Sequence, residues 1–204
     1  KEIFRKMNTI IRYEVFKEFA KSNEKGIIFT YCFDFGSGFE SEKAKIDKWT
    51  KLFEEAYVIE KVKQYSSKTK SELAYYSKIY DEDVAFNSIR CMDNRYNLTH
   101  NLENIVYNEL IYMGYNVNVF NNNGREIDFL VKKNNKQYYA QVAYSLADDK
   151  TYNREFSAFT NIDNFSQKII TTNDDIDYST SVIKHIKLKD FLLMESLDDI
   201  NRNY

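Results

Sequence analysis

The stretch REIDFLVKKNNKQYYAQVAYSL, Arg125 to Leu146, reads as two apolar-rich strands joined by the polar turn KNNK, with an acid on the first and an amide on the second. Two such runs joined by a short Asn-rich turn are the signature of a β-hairpin. Successive strand residues point to opposite faces. Ile127, Phe129 and Val131 therefore share one face of the first strand, and Glu126, Asp128 and Leu130 the other. On the second strand Tyr139, Gln141 and Ala143 lie together. Pairing the polar faces sends Asp128 and Gln141 toward one cleft, and Glu103, on the edge of the preceding helix's apolar stripe, can close the set.

Asn must make such turns because the chain has no proline and only 5 glycines in 204 residues. The formal net charge is −2, so no global field draws the chain to nucleic acid or a membrane, and any such contact must be local. No run of 18 or more apolar residues exists, and KEIFRKMNTI lacks the apolar centre of a secretory signal; a cytoplasmic protein with no membrane partner is expected. Cys32 and Cys91 sit in apolar or mixed contexts and read as small buried hydrophobes. With two histidines, His100 and His185, there is little material for a His-rich metal site or a Ser-His-Asp device. The chain opens on Lys1, as the tail of a longer polypeptide would, or a processed or engineered start.

Helical spacing runs through Glu2–Phe19, and the segment from Ser41 to Ala56 presents Ile46, Trp49, Leu52, Phe53 and Ala56 on one side. Between them, residues 29–41 suit a brief helix and a tight turn at Gly36-Ser37-Gly38. YVIEKVKQY (57–65) and ELAYYSKIY (72–80) then read as a hairpin, which after three helices is the order of a winged-helix unit. A polar connector follows at 83–97. Beyond it come a helix over 98–113 ended by Gly114, strands at 115–120, 126–131 and 137–146, a helix around 151–165, strands at 168–172 and 182–188, and a short helix at 188–197. The expected fold class is mixed α/β. A winged-helix-like unit over 1–82 is followed, over 98–204, by an α-β-β-β-α-β core.

Two carboxylates and an amide oxygen are hard ligands of the kind Mg²⁺ or Mn²⁺ takes, which makes Glu103 and Asp128, with Gln141, the candidate metal site. In a phosphodiester hydrolase the metal polarises the phosphate and activates water. A lysine two residues after the second-strand ligand would assist. Ala143 stands there instead.

LENIVYNELIYMGYNVNVF, GREIDFLV and YYAQVAYSL, with TYNREF (151–156) and IKHIKLKDFLL (183–193), resemble the domain of unknown function found C-terminal to the ATPase module in archaeal and bacterial AAA+ ATPases. That domain is itself similar to the PD-(D/E)XK nuclease fold of Holliday-junction resolvases and restriction enzymes. The resemblance covers Leu98 to Leu197. LFEEAYVIEKVKQY (52–65) resembles the winged-helix region such ATPases carry between motor and tail. The resemblance implies that Glu103 matches the helix glutamate of the nuclease fold, Asp128 the metal-binding aspartate and Gln141 the first residue of the E/Q-x-K motif, with Ala143 departing from it. It also implies an upstream ATPase module as a partner within one polypeptide. No G-x-x-x-x-G-K-[ST] segment occurs in these residues, so they hold no P-loop.

Glu109 falls in the middle of the stripe formed by Leu98, Leu102, Ile105 and Met113, where a carboxylate needs a buried cation or a path into the cleft. Arg154 is its expected partner. Lys132, Lys133, Lys136 and Lys168 are the candidates for a relocated catalytic lysine. Lys43, Lys45, Lys48 and Lys51, joined by Lys61 and Lys63 on the first hairpin strand, form a row able to meet DNA phosphates, although Glu42, Asp47, Glu54 and Glu55 weaken its field. Three readings follow: a binding module of an AAA+ ATPase with a degenerate nuclease site, a Mg²⁺-dependent endonuclease with a relocated lysine, or an aromatic-rich protein-interaction or homo-oligomerisation module.

Overall fold

The computed structural model describes residues 50–84, 98–163 and 166–201. The first helix, the Gly36–Gly38 turn, Lys43, Lys45, Lys48, both cysteines and nearly all of the connector lie outside the described residues. The chain divides into two compact units, residues 1–61 with 78–83, and residues 62–77 with 84–204. Within the first, helical residues 50–55 bury Phe53, and Val58 N–H bonds Phe53 O at 2.9 Å.

The strands are β1 (Ile59–Ser66), β2 (Ser71–Asp81), β3 (Asn116–Asn122), β4 (Arg125–Lys133), β5 (Lys136–Val142), β6 (Gln167–Thr172) and β7 (Ile183–Lys187). They form a seven-stranded mixed sheet in the order β2-β1-β3-β4-β5-β6-β7. Helices α1 (Leu98–Tyr112), α2 (Asp149–Ala158) and α3 (Leu188–Phe191) are followed by a 3-10 turn at Leu197–Asn201. The fold is therefore mixed α/β, as expected. Residues 62–77 group with the second unit, in which β1 pairs in parallel with β3 through Gln64–Val119, Tyr65–Phe120 and Ser66–Asn121.

Turn chemistry sets the register of the central strands. Asn134 and Asn135 take φ of 49° and 63°, the left-handed pair that a two-residue hairpin requires. Asn123 and Gly124 do the same between β3 and β4 at 53° and 91°. Gly114, at φ 80°, ends α1, and Lys133 Nζ reaches back to Met113 O at 2.5 Å.

The helices close opposite faces of the sheet. On the α1 side Tyr107 lies against Phe129 with centroids 6.0 Å apart, and Tyr115 meets Tyr138 edge-on. On the α2 side Phe120, Ile127, Leu130, Tyr139, Ala143, Ile170, Ala158 and Phe159 form one apolar cluster. Helix α2 starts earlier than periodicity indicates because Asp148 caps it, accepting from Thr151 N–H at 2.9 Å. Its far end is closed by Asn122, whose Nδ2 donates to Ala158 O at 3.0 Å and Thr160 O at 2.7 Å. The expected helix over 188–197 stops at Phe191. Tyr115 O–H instead accepts from Leu197 N–H at 2.9 Å, which holds the 3-10 turn near α1.

Candidate functional site

Strict alternation along β4 does not survive folding. Asn118 opposes Leu130 and Phe120 opposes Ile127, so Val119 alone faces both Asp128 and Phe129. This is a β-bulge, which re-aims the side chains beside it. Ile127 and Leu130 consequently enter the same α2-side cluster, although parity assigns them to opposite faces.

At the bulge, Asp128 turns toward the neighbouring strand: its Oδ2 accepts from Val142 N–H at 2.9 Å. Asp128 N–H in turn donates to Gln141 Oε1 at 3.1 Å. The other end of the amide, Gln141 Nε2, donates to Glu155 Oε2 at 2.6 Å. Arg154 Nε and Nη2 reach Glu155 Oε1 at 2.9 and 2.5 Å. Asp128, Gln141 and Glu155 are all buried. The result is a relay that ties β4, β5 and α2 together, with each end of the Gln141 amide committed. Sequence parity expects the Asp128 and Gln141 side chains in one cleft; the contact made runs from the Asp128 backbone N–H to the Gln141 amide oxygen. Parity misses Glu155, which stands in α2's inward stripe of Tyr152, Phe156 and Phe159 at helical spacing; that spacing, with the need of a buried amide for a partner, is the signal that finds it.

Glu103 reaches the same end of the sheet from the other face. Counting from the Met113–Lys133 contact, Glu103 lies ten helical residues back, about 15 Å. Asp128 lies five strand residues back, about 17 Å. Both acids are buried at the end where β3 and β5 finish. Gln141 and Glu155 meet on the α2 side, whereas Glu103 belongs to the helix on the opposite side.

The amide of the expected metal centre is already engaged. Gln141 Oε1 accepts from backbone, and its Nε2 contact with Glu155 holds the amide in that orientation. Among the described residues no three His, Cys, Asp or Glu side chains gather into a group able to hold a metal ion. The lysine position is closed as well: Ala143 is 2% exposed, inside the cluster with Leu146 and Ile170. The candidate replacements are engaged elsewhere. Lys132 stands over the Tyr65 ring at 4.3 Å, Lys133 bonds Met113 O, Lys136 pairs with Asp198 at 2.8 Å, and buried Lys168 bonds Asp163 O.

The expected pairing of Glu109 with Arg154 is not made. Arg154 pairs with its neighbour Glu155, while half-buried Glu109 lies on α1, and burial raises its carboxyl above the usual range. Of the lysine row, Lys51 faces Glu55 at 3.8 Å and Lys63 pairs with Glu72 at 3.1 Å. A cavity of about 430 Å³ lies along edge strand β7, lined by His185, Ile186, Leu193 and Met194 among others, and no relay residue lines it. No helix among the described residues is long and apolar enough to cross a membrane.

Residues 99–191 match the family described as Domain of unknown function (DUF4143). An uncharacterized protein of Haemophilus influenzae is 33% identical over 104 residues, 51% of this chain and 26% of that protein. The chain thus spans about a quarter of the length of the relative it matches. No solved structure matches the chain.

Proposed function

We propose that this chain is the non-motor, C-terminal part of an AAA+-type ATPase, a PD-(D/E)XK-like module that holds nucleic acid for the motor without cutting it. The observation that carries this reading is the relay: Gln141 is held between the Asp128 backbone N–H and Glu155, the Asp128 carboxylate accepts from Val142 N–H, and a methyl group fills the water-activating position. Phosphoryl chemistry depends steeply on placing such groups within ångströms. The similarity of residues 99–191 to a domain of unknown function and the resemblance to ATPase-associated tails support the setting. The Mg²⁺-dependent endonuclease is the weaker reading, since each lysine that would rescue it is bonded elsewhere.

The test incubates the chain with duplex and branched DNA in Mg²⁺ or Mn²⁺, beside Asp128→Ala. The expected result is intact DNA that is retained at low salt, where phosphate contacts are strongest. Cleavage that Asp128→Ala abolishes overturns the non-cutting reading. Absence of retention at low salt transfers the module to a protein target.

A further inference from the structure

The Arg154–Glu155 pair is asymmetric in a way that internal stability does not require. The Glu155 side chain is 5% exposed and the Arg154 side chain 70% exposed. Two guanidinium nitrogens are spent on one carboxylate oxygen, which fixes the plane of the group. Among the described residues its remaining N–H donors meet no acceptor. A guanidinium held flat by a buried acid, with donors facing water, is preorganised for a bidentate oxyanion such as a phosphate.

The surroundings extend this point into a surface. Between Lys150 and Thr160 the sole acid is buried Glu155, while Lys150 stands one helical turn before Arg154. At the other end exposed Arg125 is anchored by Nη1 to Ser157 O at 2.7 Å and to Thr160 Oγ1 at 3.2 Å. Three cations therefore line the outer side of α2 against one enclosed carboxylate, in a chain whose net charge is −2. Asp148 and Asp149 lie at the helix start, and Asp148 is occupied in capping Thr151.

We infer that the outer face of α2, with Lys150, Arg154 and Arg125, is the phosphate-contact surface through which the module grips a nucleic-acid backbone, Arg154 being oriented by the Glu155–Gln141 relay. The inference rests on the nucleic-acid reading above and names the surface that performs it. The degenerate site thus acts as a brace: residues in the position of a nuclease centre hold an arginine instead of a metal.

Binding of a short fluorescent DNA duplex by the full chain, followed by anisotropy across a salt series, tests it. Arg154→Gln, Lys150→Gln and Arg125→Gln are each expected to weaken binding irrespective of sequence and to lower the log–log salt slope by about 1. Lys189→Gln, the same charge change on α3, leaves both unchanged. Should Arg154→Gln fail to fold because it strands a buried carboxylate, Lys150→Gln and Arg125→Gln, neither of which touches Glu155, decide the matter. Wild-type affinity and slope in these folded variants overturn the surface while leaving the nucleic-acid reading intact. A wild-type chain that binds no DNA at low salt overturns both.

Discussion

Gln141 Nε2 meets Glu155 Oε2 at 2.6 Å inside the face that α2 closes, so a strand amide and a helix carboxylate satisfy each other away from water. Removing Glu155 leaves buried Gln141 Nε2 without its acceptor, and removing Gln141 leaves Glu155 Oε2 without its donor while Arg154 still holds Oε1. Glu155→Ala is expected to destabilise the chain by about 3 kcal/mol, and Glu155→Gln, which keeps an acceptor of the same shape, by about 1 kcal/mol less. Urea unfolding measures both; equal and small losses would show that the relay contributes no stability.

Ala143→Lys separates a vacant catalytic position from a packed one. Ala143 is enclosed with Tyr139, Leu146 and Ile170, so a lysine there must displace apolar neighbours and bring an ammonium with it. The expected cost is about 2–4 kcal/mol, with no gain of metal-dependent cleavage. A stable variant that cuts DNA in Mn²⁺ would mean that the relay opens to admit metal.

Asn122 closes two carbonyls at the end of α2 with one side-chain amide. Asn122→Ala orphans both in a buried setting and is expected to cost about 2 kcal/mol. Amide exchange should quicken in the last turn of α2 before it does in α1. Uniform quickening of both helices would contradict a local cap.

His185 makes stability depend on pH. Its ring is buried on β7, with Nε2 2.8 Å from Thr172 Oγ1 and Nδ1 3.7 Å from Asp177 Oδ1. Burial holds its pKa below the ordinary 6.5; Asp177 and Asp174 push upward, and Lys187 and Lys184 add to the lowering. The unfolded chain therefore takes up the proton first as pH falls. The His185 contribution is complete above about pH 6.5 and is lost as pH drops through the lower folded value. Denaturation midpoints between about pH 7.5 and 5 should fall less in His185→Gln than in the wild type. Identical slopes would remove His185 from the account.

The elements of the second unit were legible in the sequence because they rest on local physics. Asn134-Asn135 and Asn123-Gly124 supply left-handed turns, and the apolar spacing of α1 repeats as its backbone does. That β4 and β5 form one hairpin, which sets Asp128 near Gln141, was legible for the same reason. Tertiary structure alone decided what that pairing does. The bulge opposite Val119 forms between strands and breaks parity in a way no single strand records. Glu155 joins Gln141 only once α2 lies on the sheet, and Arg154 turns to Glu155 because that carboxylate, fixed from below by the amide, is nearer than Glu109 on the opposite face. Local order is written in neighbouring residues. The use of a buried polar group depends on which distant partner reaches it, and here the Gln141 amide found a backbone donor and a helix carboxylate.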